Sequence, residues 1–313
     1  MDFLSLLSIV ATILLILATG FIGQKLRIID DVMTKKMSSL IVKIGQPMLM
    51  LSALISKDCT RDDLKTGLLI FLLGMGTHTV IAVFARFFAK WIKDFDERKI
   101  TEFSIVFANC GFIGFPVAKA LLGDIGLFYG SFYIMSFYVF MWSWGQVILA
   151  RGRSDIKITV LKTIVNPGTV PCYIGLAVLL LGIRFPPFVI DYTKYLADIC
   201  TPVSVLITGA LLATKKPREL FSDYRVYIIA VTKLLILPLL VSLLARVIGL
   251  PDYMVIFATI MAAMPSGAIT SMFGEIYGIA PGYAAHIVGI SSLFSPITIP
   301  VVMYVCQNVV MKI

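Results

Sequence analysis

Ten apolar runs, each about twenty residues or longer and none separated from the next by a long polar linker, leave this chain few ways to fold. They fall at about 4–23, 36–56, 66–92, 101–122, 125–149, 159–183, 188–213, 226–249, 253–276 and 281–310. A helix of that length spans the hydrocarbon layer of a bilayer. Inside that layer, backbone N–H and C=O groups must find partners within the protein. Charged residues make up only 14% of the 313 positions, against roughly 25% in soluble domains. These features predict an all-α polytopic membrane protein of ten transmembrane helices. They exclude a disordered chain, a secreted disulfide scaffold and a soluble enzyme.

The basic residues are distributed as an orientation signal. The net charge is +9, but the bases sit in short clusters between apolar runs and form no nucleic-acid-binding stripe. Seventeen of the 27 Lys and Arg fall in the loops after runs one, three, five and seven, and eight fall on the opposite side. By the positive-inside tendency the first set faces the cytoplasm and both termini lie outside the cell membrane. Asp2 and the lack of a basic leader predict that the first run is kept as a helix. Cys59, Cys110, Cys172, Cys200 and Cys306 have no metal-ligand spacing and read as small buried hydrophobes. No metal and no cofactor is expected.

Landmarks recur at one offset. Gly20 and Gly175, Pro47 and Pro202, and Gly123 and Gly278 are each 155 residues apart. This divides the chain into a first five-helix repeat, 1–155, and a second, 156–313. An odd number of crossings inserts the second upside down, the inverted-repeat design of many secondary transporters.

Runs four and nine are interrupted at matching depth. TEFSIVFANCGFIGFPVAKALLG carries Asn109, Gly111, Gly114 and Pro116 near its middle; IFATIMAAMPSGAITSMFGEIYG carries Pro265, Ser266 and Gly267. Proline and glycine break helices, and non-helical backbone at this depth is tolerated only inside protein or beside a cavity. The predicted result is two crossed broken helices, 4 and 9, whose half-helix N-termini offer N–H groups and a positive dipole end to an anion. Asn109, Ser266 and Thr270 can add side-chain hydrogen bonds, and Cys110 a weaker one. The ordinary alternative is a pair of kinked structural helices.

FANCGFIGFP, AAMPSGAITSMFGEIYG and IGQPMLMLSAL together make the whole chain resemble the auxin efflux carrier family, which holds plant carriers and many bacterial permeases. The resemblance implies a fold shared with bile-acid and sodium/proton transporters. Helices 1, 2, 6 and 7 would form a scaffold that makes a homodimer; helices 3–5 and 8–10 would form a transport domain moving like an elevator. Family substrates are organic anions, auxin in plants and dicarboxylates such as malate or malonate in bacterial relatives. The family's crossover Asn matches Asn109, and its crossover prolines match Pro116 and Pro265. Many relatives have a second Asn just after the latter proline; this chain has SGAITS there, so a paired-Asn site does not carry over.

Ionisable groups inside apolar runs are functional candidates because their burial is costly. Lys233 and His78 are 155 apart and would flank the crossover from the two halves, Lys233 neutralising the substrate or replacing a coupling cation, His78 titrating near neutrality. Their structural alternatives are snorkelling to the interface for Lys233 and a hydrogen-bonded packing role for His78. No acid lies deep in a run, and Glu275 is the only one close to the second break. The coupling ion is left open between H+ and Na+. Gln46 beside Pro47 and Thr201 beside Pro202 place polar groups at matching kinks, where they line the substrate face or satisfy backbone freed by proline. Tyr138, with Trp142 and Trp144, can stack on an aromatic acid, while interface anchoring also explains the tryptophans.

The function expected from these residues is secondary transport of a small organic anion, auxin-like or a dicarboxylate, by alternating access among membrane lipids. A receptor that binds the anion without flux is the alternative. An enzyme is not expected, since neither His78 nor His286 accompanies a nucleophile motif.

Overall fold

The computed structural model describes residues 3–55, 60–153, 165, 168–214 and 223–312. The first half holds α1 (Phe3–Lys25), α2 (Asp31–Leu40), α3 (Gln46–Ile55), α4 (Arg61–Phe88), α5 (Phe95–Val106), α6 (Phe115–Leu122), α7 (Asp124–Phe140) and α8 (Gln146–Ala150). The second holds α9 (Thr169–Leu181), α10 (Pro187–Asp198), α11 (Cys200–Thr214), α12 (Tyr224–Val231), α13 (Leu237–Val247), α14 (Asp252–Ala263), α15 (Ile269–Tyr277) and α16 (Pro281–Asn308). Among the described residues there is no strand, only a single antiparallel bridge.

Among the described residues, five continuous helical stretches are long and apolar enough to cross a membrane: Asp31–Ile55, Asp62–Trp91, Ile125–Ala150, Tyr224–Val247 and Pro281–Lys312. Leu14–Lys25, Thr169–Leu181 and Asp252–Ala263 are shorter apolar helices. The chain is an integral membrane protein. Two of the apolar runs, 101–122 and 253–276, are each a pair of helices meeting at a break, α5 with α6 and α14 with α15. Another, 188–213, divides at Ile199 between α10 and α11. Most of 154–167, where the sixth run begins, lies outside the described residues.

Three prolines are accommodated in the same way. π-helical turns at Ile41–Gly45, Cys110–Gly114 and Thr232–Ile236 each end two residues before a proline: Pro47, Pro116 and Pro238. A proline cannot donate to the carbonyl four residues back, and its ring collides with it. Widening the preceding turn moves that carbonyl aside and lets the next helix begin with proline in its first turn. A fourth π turn, Met141–Gly145, joins α7 to α8 with no proline behind it. Positive φ at Gly123 and Gly278 closes the half-helices α6 and α15, so these two glycines, 155 residues apart, do the same local work.

Packing is closest where side chains are missing. Gly20 on α1 faces the backbone of Leu206, and Gly209 on α11 faces the backbone of Leu17. A Cβ at either would strike the opposing carbonyl, so the two helices touch main chain to main chain. α3 packs on α9 and α10, α4 on α7, α13 on α14, and α15 on α16. One large apolar cluster runs from Ile70 on α4 through Phe103, Phe107 and Tyr133 to Phe257 and Met303, and surrounds the two breaks.

Candidate functional site

The site begins with the two interruptions. α5 ends at Val106 and the chain leaves helical form at Phe107; α14 ends at Ala263 and Met264 is extended. The two stretches lie antiparallel, with Ala108 bridged to Ser266. The Asn109 N–H donates to the Pro265 carbonyl at 2.7 Å, and the Gly267 N–H donates to the Phe107 carbonyl at 2.8 Å. Each break thus satisfies main-chain groups that the other exposes, which a medium without water requires. Glycine is needed at 267, since a Cβ there would lie 3.1 Å from the Phe107 oxygen and 3.3 Å from that of Ala108. The Ser266 N–H reaches Ser291 Oγ on α16 at 3.2 Å, and Cys110 Sγ donates to the Met261 carbonyl at 3.5 Å.

A cavity of about 210 Å³ opens beside this crossing. Of the residues singled out in the sequence it brings together Gln46, Asn109, Gly111, Tyr138, Trp142 and Gly267. The Asn109 side chain is 5% exposed and makes no hydrogen bond within the described protein. α15 begins on the same cavity, and among the described residues the N–H groups of Ala268 and Ile269 have no acceptor. Those groups carry the positive end of the helix dipole. Gln46 reaches in from α3, and its amide nitrogen occupies the space that a side chain at Gly111 would take. The remaining walls are apolar: Ile134, Phe137, Tyr138, Met141 and Trp142 from α7 and the turn after it, and Met272 and Phe273 from α15.

Other predicted residues lie one layer back. Lys233 is fully buried, and its Nζ donates to the Ile105 carbonyl at 3.0 Å, at the end of α5. It does not snorkel. His78 is also buried; its Nδ1 lies 2.7 Å from the Gly74 carbonyl, and its ring packs among Tyr133, Phe137 and Phe140. That is the packing arrangement, reaching the cavity only through Phe137. Ser266 and Thr270 are buried, and their hydroxyl oxygens have no partner within the described residues. Gly114 packs on Met261 and Met264. Cys110 and Pro265 belong to the crossing itself, not to the cavity wall. Thr201 on α11 does not line the cavity. Pro116 and Glu275 fall on α6 and α15, and their side chains lie outside the described residues.

The opposite end of α5 is held by charge. Glu102, 1% exposed, receives a two-pronged hydrogen bond from Arg151 at 2.5 and 2.7 Å, with Arg86 of α4 3.6 Å away. Arg225 of α12 binds Glu97 at 2.6 Å and Asp223 at 2.7 Å. Its side-chain hydrogen bonds hold the Asp223 carboxyl below its ordinary value. Lys99 pairs with Asp96 at 2.7 Å. In the sequence Arg86, Lys99, Arg151 and Arg225 count as orientation signals; in the fold they also tie α5 to its neighbours.

Sequence reasoning missed most of the apolar wall. Phe273 follows Thr270 by three residues and Met141 follows Tyr138 by three, so helical spacing from residues already singled out would have found both, while Met272 follows none of them at such a spacing. Gly168 had no such signal. It lines the cavity because the Tyr138 ring lies where its Cβ would be.

An all-helical integral membrane protein with two broken helices crossed beside a cavity has the parts of a membrane transporter. Residues 5–303 match the family model described as Membrane transport protein. The chain belongs to this family, and the resemblance to auxin efflux carriers holds over nearly its whole length. It is also similar to an uncharacterized transporter, MJ1031, of Methanocaldococcus jannaschii. That relative is 20% identical over 302 residues, which cover 94% of this chain and 96% of the relative.

Proposed function

We propose that this membrane transport protein is a secondary transporter for a small organic anion with one carboxylate and an apolar, auxin-like body. The observation that carries this reading is the Asn109 amide: buried, without a hydrogen-bond partner among the described residues, and set on a cavity that the start of α15 also lines. A buried polar group in a native protein ordinarily has a partner. A carboxylate accepting from Asn109 Nδ2 and from the Ala268 and Ile269 N–H groups supplies one. Behind that arrangement the Ser266 N–H is held by Ser291 Oγ, the Thr270 N–H by the Gly267 carbonyl, and Cys110 Sγ donates to the Met261 carbonyl.

The walls favour the auxin-like end of the family's range over malate or malonate. No charged side chain lines the cavity among the described residues. A second carboxylate would therefore be set against Phe137, Met141, Trp142 and Phe273 with nothing to pair it. A cavity of 210 Å³ lies below the usual range of drug-sized sites, as suits a small acid.

Movement follows from the proposed architecture of ten crossings in two inverted repeats, 1–155 and 156–313, with both termini outside. Support comes from the antiparallel bridge between the two breaks and the matched Gly123 and Gly278 closures. The main-chain contact of α1 with α11 and the packing of α3 on α9 and α10 fit a scaffold that dimerises. The ion pairs joining α4, α5, α8 and α12 fit a second body that travels past it as an elevator.

Proteoliposomes holding the purified chain provide the test. Indole-3-acetate should bind and cross, and should be displaced by other aromatic monocarboxylates far better than by malate. Saturable binding without flux would make the chain a receptor. Preferential binding of malate would overturn the reading of the walls.

A further inference from the structure

We propose that Lys233 is a resident cation of the crossing. Its ammonium fills, at the C-terminal end of α5, the place where transporters of this design seat an inorganic coupling cation, and so holds the first break in the form that presents Asn109. The inference rests on the anion-transport reading for its consequence at the site, but not for the placement of the charge.

Helix α5 stops at Val106, within the protein, so its last carbonyls lose their helical partners and concentrate the negative end of the dipole. In transporters built on broken helices, such half-helix C-termini and the unwound carbonyls after them bind Na+ or a proton. Here the chain brings its own charge. Lys233 Nζ donates to the Ile105 carbonyl at 3.0 Å from the π turn Thr232–Ile236, 128 residues further along the sequence. The ammonium thereby joins the second half of the chain to the break in the first.

This lysine has no carboxylate to explain it. Glu102 is the one acid among the buried described residues, and Arg151 occupies it. Cys110 Sγ donates to the Met261 carbonyl, and His78 Nδ1 lies 2.7 Å from the Gly74 carbonyl, so neither offers Lys233 a carboxylate. A fully buried ammonium with no carboxylate partner among the described residues is an expensive feature in a membrane protein. What compensates it is the main chain at the end of α5, three residues before Ala108 and four before Asn109. Substituting a neutral side chain would leave that carbonyl end open to a soluble cation.

The experiment uses the full chain in lipid nanodiscs. Thermal unfolding is followed without any anion, and indole-3-acetate binding is followed separately, each in NaCl and in choline chloride of equal ionic strength. In the wild type both readouts should be the same in the two salts. Lys233→Met, similar in length and uncharged, should lose about ten-fold or more in indole-3-acetate affinity in choline, equivalent to roughly 1.4 kcal/mol. It should also gain a sodium-specific rise in melting temperature and recover part of the lost affinity in sodium. Lys233→Arg, which keeps the charge, should retain most of the affinity. A wild type that needs sodium overturns the proposal, as does a folded Lys233→Met that binds normally in choline with no response to sodium. Should Lys233→Met fail to fold, the wild-type salt comparison and Lys233→Arg still decide, loss of binding in the arginine variant counting against it. If indole-3-acetate does not bind the wild type, the anion reading fails, while the anion-free melting of Lys233→Met in the two salts still judges the resident cation.

Discussion

At the first break, Asn109 turns a buried amide toward the cavity and has no partner among the described residues; at the second, Ser266 and Thr270 turn their hydroxyls into the protein and do not line the cavity. The main chains of these two stretches are paired, N–H to carbonyl, almost as strand neighbours. The backbone is shared and the chemistry is not. The first break offers a side-chain donor, the second offers N–H groups at the start of α15. In the proposed function, a site built this way would grip a carboxylate from two sides with only one specialised side chain. It therefore depends on the exact approach of the two main chains, which Gly267 permits and which the charged end of α5 helps to hold.

The largest expected effect comes from unseating the first break at a distance. Arg151→Ala leaves Glu102 buried without its bidentate partner, a change that costs about 3–5 kcal/mol when a buried pair is broken. The lower end is expected because Arg86 stays 3.6 Å away. Melting temperature should fall sharply and anion binding with it; an unchanged melting curve would show that the ion pair does not hold α5.

Next in size is Asn109→Ala. A hydrogen bond to a charged group is worth about 1.5–3 kcal/mol, so affinity should drop roughly 10- to 150-fold. Stability should hardly change, because the side chain has no protein partner to lose. Wild-type affinity in the variant would remove Asn109 from the site.

Two glycines then separate backbone from side-chain tolerance. Gly267→Ala sets a methyl 3.1 Å from a main-chain oxygen of the other break, so the crossing must spread, at about 1–3 kcal/mol for overpacking. Gly111→Ala meets only the end of Gln46, 2.7 Å from its amide nitrogen, which can swing away. Binding should suffer more in the first than in the second, and the reverse order would assign the tighter constraint to Gln46.

The smallest effects belong to the second break. Ser266→Ala and Thr270→Val each remove a buried hydroxyl oxygen that has no partner. Melting temperature should stay level or rise, by less than about 1 kcal/mol in stability, since no hydrogen bond is given up. A loss of anion binding in Ser266→Ala as large as that in Asn109→Ala would erase the asymmetry between the breaks.

Much of this was legible in the chain. Apolar runs locate the helices because a bilayer leaves backbone groups no partner but one another. Proline and glycine locate the interruptions because they weaken helix wherever they stand. What could not be read is how each proline is absorbed: FIGFP and IGQP both show the residue, but the π turn ahead of it answers to neighbours the string does not contain. Tyr138 was visible as an aromatic residue in an apolar run. Its place on the cavity wall depends on Gly168, thirty residues along the chain, leaving room for its ring.

Lys233 marks the boundary most clearly. Its residue type and its position in an apolar run already made it costly, and so significant, because burying a charge is unfavourable in any low-dielectric surrounding. Whether it would reach the membrane surface, face the substrate or close a helix end depended on which carbonyl lay within 3 Å of its ammonium. That distance is set by the packing of two segments 128 residues apart. By itself the sequence determined the solvent, the helices and the places where helix must fail, since these follow from local chemistry. Only the tertiary structure decided which of the interrupted groups meet each other and which are left for a ligand, because hydrogen bonding is a matter of distance and direction between parts that the chain keeps far apart.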